Sequence, residues 1–305
     1  MYHLFTRQTC QTSFFLIKPL EVIYSDVWGT SPIIFVEGFR YYVSFIDECT
    51  RFTWIFLMIN KGEVYSIFVY FHTFLVTQFS VTFRVFQNDG GGECLSNKFK
   101  YYLLTKGIVH QMSCLYTPEQ NGLAERKNRH NLETTITLLQ TAHLPPKFWF
   151  HVYATSIYLI NRLPCQILQL KSPFFLLYGS TPVINHLRIF GCACFHLLKP
   201  YNTHKLQPKT STCIFLGYVG QYKGYIYFSL QTNQFFMTRH VIFDESVFPY
   251  TYVPAVSLLL PLLLPHLFLY ITLFCLFLLL LCSLLEPLHL WIHCLLVSTL
   301  SLYQF

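Results

Sequence analysis

The period of the apolar residues changes repeatedly along this 305-residue chain, and each change marks an element. Residues 22–29 are β-branched and aromatic, with Val22, Tyr24, Asp26 and Trp28 alternating onto one face, which predicts a strand closed by Gly29. Residues 39–47 and 51–59 repeat that composition around Asp47, Glu48, Cys49 and Thr50, as a β-hairpin does. An aromatic helix is predicted over 63–78, a short strand over 83–87, a helix over 99–106 and a strand over 108–113. After a loop at 114–122, Leu132, Ile136 and Leu139 recur at intervals of four and three, a helical stripe that reaches back seven residues from Leu132 to Glu125. A further apolar helix is expected over 145–162, ended by Leu163-Pro164, and a short one from Ser172 to Tyr178. From about 188 the pattern turns to short strands: 190–195, 213–217, 224–229 and 234–243.

Three acids occupy unusual places in this pattern. Asp26 falls near the end of a strand, and Asp89 falls where strand gives way to Gly90-Gly91-Gly92, where backbone can approach a phosphate or a metal closely. Glu125 is expected on the buried stripe of its helix, which is costly unless a cation, a donor or a metal meets it. Taken singly, each acid reads as an ordinary half-solvated side chain paired with a neighbour such as Arg126 or Arg129. Glu93 and Asp47 are read in that way, as surface or supporting acids. His110 and His130 are read as surface or supporting groups rather than ligands.

Exactly 35 residues separate Asp89 from Glu125. With this spacing, the chain resembles the integrase of copia-type LTR retrotransposons. The resemblance rests on residues 19–29, on Asn88-Asp89-Gly90-Gly91-Gly92-Glu93, and on Tyr116 to Arg129. It continues through Phe190-Gly191-Cys192-Ala193-Cys194, Phe215-Leu216-Gly217-Tyr218 and Arg239 to Glu245, covering roughly residues 15–250. It implies a ribonuclease-H-like α/β core, a mixed five-stranded sheet flanked by helices, followed by a small β-rich region. Asp26, Asp89 and Glu125 would be the catalytic residues and would hold two Mg²⁺ or Mn²⁺ ions. In-line displacement at a phosphodiester uses one such ion at the attacking oxygen and one at the leaving oxygen, and hard ions favour oxygen ligands.

The implied activity is trimming of the element's 3′ end and its joining to target DNA. The implied partners are double-stranded DNA and further copies of the chain, in nucleus or cytoplasm. Gln120 and Asn121 would touch DNA, and Lys127 and Arg129 would contact phosphates. Without turnover, the same fold would be a DNA-binding remnant.

Composition divides the chain. It is 53% hydrophobic and only 11% charged, but all 21 Lys and Arg and all but one of the 14 acids precede residue 254. A basic front part suits a polyanion. We expect a remnant at 1–18, a catalytic core at 19–183, a β-rich region at 184–250 and a Leu-rich tail at 251–305. The family's zinc module precedes the core, but only His3 and Cys10 stand there as ligands, so truncation and no zinc are expected. Cys192 and Cys194 lack a second pair, and eleven cysteines without paired spacing suggest free thiols. Residues 267–285 carry no charge over 19 positions, long enough to cross a bilayer, so membrane anchoring through the tail is the rival reading. The tail's Leu, Phe, Ser and Pro vocabulary also fits a polar linker read in a shifted frame.

Overall fold

The computed structural model describes residues 18–31, 38–113, 121–197, 210–219 and 224–252. The expected remnant at 1–18 (but for Lys18), the loop with Gln120, and the tail lie outside the described residues. Within them the protein is a mixed α/β structure with two five-stranded sheets.

The first sheet takes β1 (Val22–Trp28), β2 (Tyr41–Asp47), β3 (Thr53–Met58), β4 (Val85–Asn88) and β5 (Val109–Met112) in the order β3-β2-β1-β4-β5. β1, β2 and β3 are antiparallel neighbours, whereas β4 runs parallel to β1 and β5 parallel to β4. Side chains alternate across it. Ile23, Val43 and Phe45 face α1 (Val64–Phe79) and α2 (Asn97–Lys106), where Phe68, Phe71, Phe86 and Phe99 are fully buried. Phe45 and Phe71 stack with ring centroids 4.2 Å apart. Trp28, Tyr42, Ile55 and Leu57 face the opposite side and pack with Trp149, Tyr153 and Ile157 of α4 (Trp149–Ile160).

α3 (Gly122–Thr141) also covers that second side, but not on the predicted stripe. Leu132 and Ile136 are 40% and 45% exposed, and Glu125 is exposed with them. The buried side is Gly122, Ala124, Asn131 and Thr135, with Leu139 packing inward at the end. Small side chains let the two helices meet closely: Thr135 Oγ1 lies 3.0 Å from Ser156 Oγ, and Ser156 Oγ donates to the Asn131 carbonyl at 3.4 Å.

Asp47 is likewise not a surface acid. It is fully buried, accepting from the Leu20 amide at 2.9 Å, the Thr50 amide at 2.9 Å and the Thr50 hydroxyl at 2.6 Å. Those bonds tie the β2–β3 turn to the chain entering β1.

After α5 (Pro173–Tyr178), the second sheet is antiparallel, ordered β10-β6-β7-β8-β9. It comprises β6 (Ala193–Leu197), β7 (Thr210–Tyr218), β8 (Tyr225–Ser229), β9 (Gln234–Thr238) and β10 (Val241–Asp244). The single strand expected over 234–243 is therefore two. The chain turns at Arg239-His240, where the His240 amide reaches Thr238 Oγ1 at 3.3 Å, and β10 crosses to the far edge to pair with β6.

One face of this sheet buries Cys192, Cys194, Cys213, Phe215 and Tyr227. The other meets α4: Thr155 Oγ1 donates to the Leu216 carbonyl at 3.1 Å, and Phe148 lies edge-on to Phe228 at 5.0 Å. Among the described residues, Cys49, Cys94, Cys165, Cys192, Cys194 and Cys213 are free thiols, and no helix is long and apolar enough to cross a membrane.

Candidate active site

Asp26 projects from β1 toward α3, on the same side of the sheet as Trp28, because residues two apart in a strand share a face. It is half-buried. Beside it Trp28 stacks on Tyr42 at 5.3 Å and meets Trp149 edge-on at 5.2 Å, an aromatic floor that keeps water from one side. Asn128, one turn beyond Glu125 on α3, donates its amide to Asp26 Oδ2, and Ser44 Oγ on β2 reaches both the Asp26 carbonyl at 3.3 Å and Asn128 Oδ1 at 3.5 Å.

The three expected acids share one electrostatic environment. Burial raises the Asp26 carboxyl above its ordinary value, the charge of Asp89 raises it further, the Asn128 bond opposes the rise, and Glu125 adds to it. Asp89 follows the last residue of β4 and is exposed. Its Oδ1 accepts from the Gly91 amide at 3.1 Å. Asn88 steadies that loop: its Oδ1 accepts from the Gly90 amide at 3.1 Å and stands 3.2 Å from His110 Nε2, while the Ser113 amide bonds its carbonyl at 3.0 Å. Glu125 is exposed in the first turn of α3.

None of the three acids is in an ion pair among the described residues. Three carboxylates with no counter-charge form an oxygen-only donor set, which suits a hard divalent cation. Among the described residues no three His, Cys, Asp or Glu side chains are gathered closely enough to enclose an ion.

The residues expected to contact DNA separate. Arg129 is exposed on the Glu125 side of α3, whereas Lys127 is half-buried against a cavity on the other side, where burial lowers its ammonium to about 8. Asn121 is only 2% exposed, and its Oδ1 finds no hydrogen-bond partner among the described residues. Gln120 lies outside the described residues.

Asn128, Asn88 and Ser44 were not legible as site residues from composition. Only the spacing of Asn128, three after Glu125 and so on a neighbouring line of the helix, could have pointed to it.

Comparisons with known proteins show what the chain is similar to. A model of the retroviral polymerase SH3-like domain matches residues 192–256, which include the second sheet from β6 to β10. Homologues of the chain are retrovirus-related Pol polyproteins of copia-type transposons. One is the retrovirus-related Pol polyprotein from transposon RE1 of Arabidopsis thaliana, 45% identical over 234 residues that cover 77% of this chain and 16% of that polyprotein. The chain thus spans about a sixth of the length of such relatives.

Among solved structures, it is similar to a chain of the simian T-cell lymphotropic virus intasome in complex with PP2A regulatory subunit B56 gamma. There the identity is 13%, over 76% of this chain and 81% of that one, with a TM-score of 0.44. It is also similar to the HTLV-2 integrase catalytic core domain in complex with magnesium, at 15% identity over 52% and 97% of the two chains, with a TM-score of 0.40.

Proposed function

We propose that this chain is the catalytic-core segment of a retrotransposon integrase, trimming the 3′ end of element DNA and joining it to target DNA. The observation that carries the proposal is the placement of Asp26 on β1 beside Asn128 of α3, with its carboxyl raised first by burial and then by the charges of Asp89 and Glu125 from two other elements. Three acids from a strand, a glycine-rich loop and a helix influence one another, and three oxygen donors suit a hard divalent cation. The homologous Pol polyproteins support the integrase assignment. The strand order β3-β2-β1-β4-β5, with three antiparallel strands and two parallel ones, supports a ribonuclease-H-like core.

Asp26, Asp89 and Glu125 would hold Mg²⁺ or Mn²⁺, which would favour ionisation of the attacking oxygen and offset charge on the leaving oxygen. Asn128 keeps one Asp26 oxygen engaged, so the carboxylate presents its other oxygen outward. The aromatic floor of Trp28, Tyr42 and Trp149 excludes water behind it, which strengthens electrostatic interactions at the carboxylate. Arg129, exposed on the Glu125 side, is placed to meet a DNA phosphate. Double-stranded DNA, further copies of the chain, and a nuclear or cytoplasmic setting belong to the same proposal.

The test is strand transfer of a labelled element-end oligonucleotide into plasmid DNA with Mg²⁺ or Mn²⁺. Joined product from the chain, lost in Glu125→Gln, is the expected result. Absence of product from folded protein that still binds DNA would overturn the enzymatic reading and leave a DNA-binding remnant.

A further inference from the structure

A cavity of about 730 Å³ lies away from the three acids, and its charge is one-sided. Arg51 comes from the β2–β3 turn, and Arg126, Lys127 and His130 come from the first turns of α3. At 100° per residue, these α3 positions fall 100° to 200° around the helix from Glu125, so the cavity opens on a different side from the carboxylates. Arg126 and His130 stand exposed at the mouth, while Arg51 and Lys127 are half-buried. Among the described residues no acid lines the cavity, and none of the four basic side chains is in an ion pair. Glu48 acts on Arg51 from within the same turn.

The opposite wall is apolar. Ile160, Leu163 and Ile167 line it, with Leu123 added from α3 beside the cations, and the wall follows the chain from the end of α4 to Pro173 at the start of α5. Leu163 and Ile167 are 51% and 80% exposed, which leaves apolar surface open to a ligand.

Unpaired cations gathered around one space repel one another, and an anion relieves that repulsion. A phosphate alone would leave most of this volume and the whole apolar wall unused, whereas a planar organic body would cover the wall. Cavities of roughly 300–1,000 Å³ suit small organic ligands. From this combination we infer that the cavity is a second site, taking a nucleotide. Its phosphates would meet Arg51, Arg126, Lys127 and His130, and its base would lie on the Leu163 to Ile167 wall. The nucleotide could come free or as part of a single nucleic-acid strand, and the two sources share this chemistry.

The test measures binding to the full chain in EDTA, which removes divalent ions, so that the three acids take no part. The probes are ATP, inorganic triphosphate and a twelve-residue oligothymidylate. ATP or the oligonucleotide should bind, and Arg51→Asn and Lys127→Met should each weaken binding at least tenfold. Lys100→Ala, at an exposed basic position on α2, should leave it unchanged. Asn tolerates the positive φ of Arg51 (61°), so that variant keeps its turn and decides the matter if Lys127→Met fails to fold.

Binding of ATP in competition with the oligonucleotide would identify a free nucleotide as sufficient; binding of the oligonucleotide alone would identify the strand as the source. Inorganic triphosphate binding as tightly as ATP would overturn the role of the apolar wall, and with it the nucleotide. No binding by ATP or oligonucleotide, or binding indifferent to Arg51→Asn, would overturn the site. Because this binding is read in EDTA and strand transfer needs a divalent ion, loss of strand transfer and loss of this binding are separable outcomes.

Discussion

Replacing Gly217 by alanine tests how the second sheet is anchored to the helix that backs the carboxylates. Gly217 is buried in β7 at φ +139°, beside a register shift between Phe215 and Gly217 against β8. A Cβ there would sit 2.3 Å from Thr155 Oγ1, far inside contact distance, though 3.7 Å from Thr155 Cβ. Backbone strain at this φ costs about 1–3 kcal/mol, and forced overpacking about 1–3 kcal/mol. If Thr155 swings away, its 3.1 Å bond to the Leu216 carbonyl is lost, worth about 0.5–1.5 kcal/mol.

Together these predict a loss of about 2.5–7.5 kcal/mol, a large part of the stability of an ordinary domain. The assay is urea unfolding followed by tryptophan fluorescence, since Trp149 lies in the same helix as Thr155. Thr155→Ala removes the clashing oxygen but not the backbone strain. The double variant should therefore be about 1–3 kcal/mol more stable than the sum of the single effects predicts. A loss under about 1 kcal/mol in Gly217→Ala, or strict additivity in the pair, would refute the packing argument.

Three more predictions concern the first sheet and its covering helices. Asn128→Ala should cost about 1.5–3 kcal/mol, the worth of a hydrogen bond to a charged group, and should lower strand transfer at least tenfold in protein shown to be folded; unchanged joining would deny Asn128 its positioning role. Asp47→Ala leaves the Leu20 amide and both Thr50 donors without their acceptor, so a loss of about 3–5 kcal/mol is expected in urea unfolding.

His151 packs on Phe235 at 4.7 Å, and burial lowers its imidazole to about 4. Between the unfolded value near 6.5 and 4, the unfolded chain takes up a proton that the folded one excludes, so this group removes stability as pH falls through that window. The effect is on the order of 2–3 kcal/mol. The stability gap between wild type and His151→Phe should therefore change between pH 7 and pH 4 in favour of the variant; a constant gap would refute the assignment.

Much of the architecture was legible in the residues. Strong period-two strands such as 22–28 and the long aromatic helix over 64–79 can satisfy their burial in one way only, so their pattern names them. The motifs and the 35-residue interval single out the three acids in sequence, whereas their mutual influence on Asp26 is a property of the folded chain.

Other features were decided by tertiary structure. Periodicity marks where apolar residues recur but not what they meet, and in α3 close contact with α4 selected Gly122, Ala124, Asn131 and Thr135 over the larger Leu132 and Ile136. Small side chains permit backbone approach that leucine and isoleucine prevent. In the same way, Lys127 reads in sequence as one more basic neighbour of Arg129, yet 200° of helical rotation sets it against a cavity. Sequence determines which groups exist and how they are spaced along each element; only packing determines which of them share an environment, because the energies that matter depend on distance and burial in the folded chain.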